Sequence, residues 1–531
     1  MKIGAFGYET ALVCCGLVLS CVAVCLQPVP SKNVKPVFSK NDQVNTDLLE
    51  SGKYNSAQTV FLTDNNNYRV VSNQDAQKSP ISRKQNLTIS DLRAGLRNRL
   101  MYISTSPIWK SPAGDFQKAV TVRIEKKKNH GAYYRTYFNS EMVFHLPVVS
   151  LVVNEADFFD ESSGINVQGL RAAYMPLRTR WWDQHGNYQN KGKNFAVNCF
   201  FEYFSQKGNL LYSSFADIRI HGNATRAFPQ KSYRLEAKGK KNKKFFQYDF
   251  FSSHVPNKNL VLRQGGNDWG RTLFADAVMQ ELVSALDVEA QAYAPVVLYL
   301  NGEYWGIYSL RQKFDEDFVA GKYKCKKKNI TFIENDELKN GSMDEFAAFK
   351  ALVDGTLYET NYKNISEKID LLNFMHYIFS EVYFANTDWP HNNCKYYKCE
   401  NGKWRWGVYD LDYGYGYTGN PQAYETDLFA TLYKSPVYTA KLFRLLMTFP
   451  EFRKAFKLES ERIIQHELNE AGQFQRINAF ARRIEPEINN HIRRWRKPRS
   501  LEQWRNYVQE MKIFVTNREA VFMSQLKKYC K

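Results

Sequence analysis

NTDWPHNNCKYYKCENGKWRWGVYDLDYGYG, residues 386–416, is the stretch on which the reading of this chain turns. Its first eight residues hold three asparagines, Asp388, Pro390 and His391, and they follow the apolar run IDLLNFMHYIFSEVYFAN (369–386), which reads as a buried helix. Short polar side chains massed at a helix end make Asx turns and caps, or they form a site. The Asn401-Gly402 pair is a strong two-residue hairpin signal. With those two residues as the turn, Glu400 faces Lys403, Tyr397 faces Trp406 and Asn393 faces Asp410. Opposed residues share a sheet face with Cβ atoms about 4.5–5.5 Å apart, so an amide oxygen and a carboxylate are expected to converge, with Asp388 just upstream.

Those are hard oxygen ligands suited to Mg²⁺. Asp388 is placed to accept a proton from an incoming hydroxyl. The order of base, metal-binding Asn and metal-binding Asp is that of protein-kinase sites; the competing reading is a set of turn and capping devices. A kinase-like site also needs a cation on the nucleotide phosphates. Lys231, in FPQKSYRLEAK (228–238), begins an expected strand after the turn HGNATRAF (221–228). Glu281 borders the apolar face of the expected helix RTLFADAVMQELVSAL (271–286) and could hold that lysine, or could be an ordinary surface residue. The chain has no Walker P-loop and no nucleophile elbow.

Working outward, the alternating segments RLMYISTSP (99–107), KAVTVRIEKK (118–127) and GAYYRTYF (131–138) read as strands of a small β-domain over 91–145. Strands continue from LPVVSLVVNEADFF (146–159) to about 262, and APVVLYLNGEYWGIYSLRQ (294–312) reads as a hairpin turning at Asn301-Gly302. Beyond about 430 the pattern is helical. The fold class is therefore α+β, with a β-rich N-terminal half and a helical C-terminal half. Residues 27–90 are rich in Asn, Ser, Gln, Lys and Asp and read as a disordered tether. Residues 1–26 read as a signal peptide, since ALVCCGLVLSCVAVCL (11–26) is short for a spanning helix. Its VLSC ends at Cys21 in the manner of a lipobox, so the chain is expected to be exported, secreted or held at the outer membrane or cell surface through a lipidated Cys21.

Bulk properties exclude several classes. The 531 residues are 44% hydrophobic and carry a net charge of +19, but the basic residues are scattered apart from KGKKNKK (238–244) and RRWRKPR (493–499). Without a zinc-finger or RNA-binding signature these read as solvated faces, and no nucleic-acid partner is expected. Cys199, Cys325, Cys394, Cys399 and Cys530 are sparse, with no CxxC pair, so this is neither a disulfide scaffold nor a structural zinc site.

The blocks RIHGNATRAFPQKSYRL (219–235), LVLRQGGNDWGRTLFADAVMQELV (260–283), YAPVVLYLNGEYWGIYSLRQKFDEDFV (293–319), NTDWPHNN (386–393) and WRWGVYDLDYGYG (404–416) together resemble the CotH family, whose founding members are spore-coat proteins with an atypical, secretory-kinase-like fold. The resemblance covers about 146–460 and implies a kinase domain over 146–531. The preceding KAVTVRIEKKK, YYRTYF and LPVVSL resemble the chitobiase-C-terminal-like β-domain, a small β-sandwich-like module. The family implies Lys231 on the ATP phosphates, Asp388 as the catalytic Asp, Asn393 and Asp410 as ligands of Mg²⁺ or Mn²⁺, and Asp412 as a second or alternative ligand. Where the family has a glutamate in its Y-x-L-x-E block, this chain has Gln312. The implied activity is transfer of the ATP γ-phosphate to protein Ser/Thr hydroxyls. Alternatives are a catalytically degenerate surface protein that binds a protein or glycan ligand, and phosphoryl transfer to a sugar or lipid.

Overall fold

The computed structural model describes residues 58–63, 67–72, 119–125, 132–138, 142–170, 186–239, 244–355, 361–417 and 419–531. The expected signal peptide with Cys21, most of the expected tether and much of the 91–145 segment lie outside the described residues. Four strands come first: β1 (Gln58–Thr63), β2 (Asn67–Ser72), β3 (Val120–Glu125) and β4 (Ala132–Tyr137), in the order β2-β1-β3-β4. Strands β1 and β2 fall inside the stretch read as a tether, so that reading does not hold for them. Among the described residues these strands make one sheet; the second layer of a sandwich is not seen.

The sheet is joined to the body of the protein at Glu202. The Thr136 backbone N–H donates to its Oε2 at 2.8 Å, Arg135 approaches at 3.5 Å, and burial pushes the carboxyl up to about 7.

The β-rich half is a closed barrel. Strand β5 (Val148–Val153) is followed by the short helix α1 (Glu155–Phe159), β6 (Val197–Phe204), β7 (Leu210–His221), β8 (Ser232–Ala237), β9 (Asn259–Arg263), helix α2 (Ala275–Val283), β10 (Tyr293–Leu300) and β11 (Glu303–Gln312). The barrel order is β10-β11-β9-β8-β7-β6-β5, and it closes through the parallel pairing of β10 with β5. Strand β5, VVSLVV, is almost wholly buried, as expected of a strand covered on both faces. The β10–β11 turn forms at Asn301-Gly302 as read from sequence, with φ of 49° and 82° and Leu300 facing Glu303.

Helix α3 (Glu316–Tyr323) leads to β12 (Ile330–Glu334), β13 (Glu337–Asn340), α4 (Met343–Val353), α5 (Tyr362–Lys368), α6 (Leu371–Tyr383), β14 (Lys395–Cys399) and β15 (Arg405–Gly407). These four strands form a third sheet, β13-β12-β14-β15. The chain ends in α7 (Leu428–Lys434), α8 (Tyr438–Leu446), α9 (Pro450–His466), α10 (Glu470–Trp495) and α11 (Leu501–Tyr529). The β-rich and helical halves share one core, in which Trp305 of the barrel meets Trp495 of α10 edge-on at 5.7 Å.

Candidate active site

Helix α6 delivers the 386–393 loop through a Schellman ending. The N–H of Asn386 bonds the Glu381 carbonyl and the N–H of Ala385 bonds that of Val382, each at 3.1 Å, with Ala385 at φ 54°. Arg518, buried on α11, reinforces this end by donating to the carbonyls of Val382 (2.6 Å) and Tyr383 (2.8 Å). The loop's polar side chains then have assigned partners. The Asn386 amide donates to Glu381 Oε2 at 2.8 Å and to the Asp410 carbonyl at 3.3 Å. The amides of Asn392 and Asn393 donate to one oxygen of Asp388, at 2.8 and 2.9 Å. His391 Nε2 lies 3.8 Å from its other oxygen.

Asp388 is partly exposed, whereas its neighbours Trp389 and Asn393 are buried. Burial, with the charge of Asp410, raises its carboxyl above the ordinary range against the pull of Asn392, His391 and Asn393. With its NH₂ given to Asp388, Asn393 keeps its amide oxygen as an acceptor.

The hairpin that follows is out of step with the sequence reading by one residue. Tyr396 faces Trp406 and Tyr397 faces Arg405. The reason is the turn. Gly402 N–H donates to the Cys399 carbonyl at 2.9 Å, which puts Glu400 and Asn401 at its centre, and Asn401 takes the left-handed position at φ 61°. Asn393 and Asp410 are therefore not a cross-strand pair. Both have left the ladder and sit at positive φ, 57° and 59°, a conformation that Asn and Asp tolerate better than most residues. They still border the same site, through Asp388 on one side and Asn386 on the other.

Asp410 and Asp412 converge on one guanidinium. Arg263, the last residue of β9, gives Nη2 to both carboxylates, while its Nη1 reaches Asp410 Oδ2 at 3.2 Å. Asp412 is almost fully buried and also accepts the Asn267 backbone N–H at 2.7 Å and its side-chain amide at 3.0 Å. Asp276 on α2 braces the loop from beneath. Its Oδ1 accepts the Leu411 N–H at 2.8 Å, and its Oδ2 is paired with Arg311 and lies 3.8 Å from Arg263 Nε. Against burial, the carboxylates of Asp410, Asp412 and Asp276 hold Arg263 well above its ordinary value. Gly266, at φ 64°, is required here, because a Cβ would lie 2.0 Å from Asp412 Oδ2 and 2.1 Å from Arg263 Nη2.

Lys231 and Glu281 do not join this group. Lys231 is buried at the start of β8, its amine 2.5 Å from the Phe228 carbonyl and 3.9 Å from the centre of the Tyr188 ring. Burial, with the nearby Arg226, pushes it down to about 7. Glu281 faces outward and pairs with Arg476 at 2.9 Å. The lysine–glutamate pair expected from sequence is thus absent. The cation facing the acidic loop is Arg263, and the α2 acid that supports it is Asp276. The LRQGGND block held both the arginine and the glycine pair, but nothing in its local pattern aims Arg263 across the structure at Asp410. Gln312 is buried and donates to Ser253 Oγ at 2.9 Å.

Among the described residues no three His, Cys, Asp or Glu side chains form a ready-made metal cage. The donor set nevertheless fits Mg²⁺. Two carboxylates already share a single cationic nitrogen, the Asn393 amide beside Asp388 keeps an oxygen to offer, and Mg²⁺ commonly takes one or two carboxylates and fills its remaining positions with phosphate and water.

A family model described as CotH kinase protein matches residues 218–522, which span the barrel from β7 onward and nearly all of the helical half. No curated protein matches the chain.

Proposed function

The chain belongs to the CotH kinase family, and from that premise we propose that it is an exported ATP-dependent kinase that phosphorylates Ser or Thr hydroxyls of proteins. The observation that carries the reading is the convergence of Asp410 and Asp412 on one cationic atom, beside a carboxylate, Asp388, held by two amides.

In this reading Asp410, Asp412 and the Asn393 oxygen hold Mg²⁺ or Mn²⁺. The ion, when bound, supplies positive charge to the ATP phosphates and orients the γ-phosphoryl group for in-line transfer. Asp388 hydrogen-bonds the acceptor hydroxyl and takes its proton as the oxygen attacks. Its raised carboxyl range suits that exchange. Arg263 is the phosphate-facing cation, the role the sequence assigned to Lys231, because it is the guanidinium that already lies against the metal-binding carboxylates. Asn386 and Asp276 are positioning residues that fix the backbone of Asp410 and Leu411.

The test is incubation of the purified chain with γ-labelled ATP, Mg²⁺ or Mn²⁺, and Ser/Thr-containing proteins, followed by acid hydrolysis. Label in phosphoserine or phosphothreonine supports the reading. Label confined to sugar or lipid moves the acceptor class.

One observation favours a second reading, that of a surface protein with a degenerate site. Arg263 offsets part of the charge of both carboxylates, so the loop is partly balanced without a metal. Protein that binds neither ATP nor Mg²⁺ would establish that reading instead.

A further inference from the structure

We propose that Cys325 and Cys399 form a disulfide that braces the sheet behind the candidate active site. The inference is independent of the kinase reading. The two sulfurs are in contact at 2.9 Å although the residues are far apart in sequence. Cys325 lies just past the end of α3, where Lys324 turns the chain at φ 53°. Cys399 ends β14 and pairs in register with Ile330 at the start of β12. Both lean on the same small apolar cluster, built from Phe314, Phe318 and Tyr397 among others. The backbone is already tied at this point, since the Glu400 N–H donates to the Asn329 carbonyl at 2.9 Å.

A buried charge network marks the same joint. Glu289 accepts from Lys322 and Tyr323 at the end of α3, and from Tyr397 of β14 at 2.8 Å, while Arg405 Nε of β15 lies 3.7 Å away. A covalent link there would close the segment 325–399, which carries Asp388 and Asn393. The remaining described cysteines are placed differently. Cys394 contacts Thr439 Oγ1 at 3.1 Å, Cys199 lies in the barrel wall, and Cys530 is at the C-terminus.

The chemistry is thiol–disulfide exchange with a disulfide oxidant, either oxidised glutathione or a disulfide-bearing oxidoreductase. One thiolate attacks an oxidant sulfur, forms a mixed disulfide and releases the first oxidant thiol. The second cysteine then attacks the mixed disulfide, closes the Cys325–Cys399 bond and releases the second. Two thiols are oxidised, one disulfide is reduced, and the protons end on the leaving thiols. Burial, together with the Cys325 contact, pushes the Cys399 thiol up to about 12, which lowers its thiolate fraction for either attack; the closing attack is intramolecular, and the 2.9 Å approach of the two sulfurs offsets that. The export expected from residues 11–26 would place the chain where such oxidants occur.

The experiment uses the full chain equilibrated with oxidised glutathione, then denatured and alkylated before and after reduction. Peptide mapping is expected to give one linked pair containing Cys325 and Cys399, which reductant releases. In Cys325→Ser, Cys399 should be recovered free or carrying glutathione, with no cysteine-linked peptide, and Cys394→Ser should leave the linked pair intact. Reduction should lower the melting temperature of the wild type by several degrees but not that of Cys325→Ser, and should quicken amide exchange across 395–407. Free alkylation of both residues, or either one linked to another cysteine, would overturn the proposal.

Discussion

Arg263→Met removes the cation that, among the described residues, three carboxylates share. Deleting one partner of a buried ion pair costs about 3–5 kcal/mol, because the other charge is left without compensation. The neighbours decide where in that range the cost falls. Asp276 keeps Arg311, and Asp410, 21% exposed, can regain water. Asp412, 1% exposed, keeps the two Asn267 donors, and burial with the charge of Asp410 raises its carboxyl well above the ordinary range, so it can meet part of the loss by taking up a proton. One orphaned carboxylate points to the lower end, about 3 kcal/mol. With an unfolding entropy of about 2.1 cal/mol/K per residue, a domain of this size loses about 1.2 °C per kcal/mol, which is a melting temperature about 4 °C lower in metal-free buffer. Mg²⁺ no longer competes with the guanidinium in the variant, so millimolar Mg²⁺ should stabilise Arg263→Met more than the wild type. The assay is a thermal melt of both proteins in chelator and across an Mg²⁺ series, with folded content checked by circular dichroism. If the variant melts with the wild type in chelator, or Mg²⁺ shifts both equally, Arg263 is not the counter-ion of a metal-binding pair.

Gly266→Ala should disrupt the same point through sterics. With φ 64° and a Cβ 2.0 Å from Asp412 Oδ2, it should cost about 2 kcal/mol or more and abolish Mg²⁺-dependent nucleotide binding, read by calorimetry. Lys231→Met should leave ATP affinity within about 3-fold and stability unchanged or raised, since a buried amine with no ion pair among the described residues is costly to keep charged; a loss of about 10-fold or more would return Lys231 to the phosphate site. His491 is buried, accepts the Ile307 N–H at 3.1 Å, and is pushed down by burial to about 3 from an ordinary 6.5. The unfolded chain therefore binds the proton first. His491 contributes stability above about pH 6.5 that is lost as pH falls towards 3, at up to about 1.4 kcal/mol per pH unit. Melts between pH 7 and 5 should show a shallower acid decline for His491→Gln than for the wild type.

The division into a β-rich and a helical half was legible in sequence because hydrophobic period reports local geometry directly. The expected helix 369–386 is α6 with its Schellman ending, and 271–286 shortened to α2 because its first residues turn around Asp268, whose carboxylate accepts the N–H groups of Thr272 and Ala275. The same Asn-Gly dipeptide gave opposite outcomes at two turns. At 301–302 the Asn301 side chain bonds both the N–H and the carbonyl of Val153, and the two-residue turn holds. At 401–402 no such anchor is seen among the described residues, the chain adopts a three-residue connection, and the register slips. Barrel closure depends on β5 meeting β10 from opposite ends of the β-rich half, and no local pattern encodes that. Arg263 was missed for the same reason, being 147 residues from Asp410 in sequence.

The most direct test of the central claim compares Mg²⁺–ATP binding and phosphoryl transfer in the wild type, Asp388→Asn and Asp410→Asn, measured on the same preparations. Asp388→Asn is expected to bind Mg²⁺–ATP within about 3-fold of the wild type but to transfer phosphate about 10²–10⁴-fold more slowly, while Asp410→Asn is expected to lose the Mg²⁺ dependence of binding. Wild-type protein that binds ATP equally with and without Mg²⁺, or an Asp388→Asn variant that transfers at the wild-type rate, would contradict that claim.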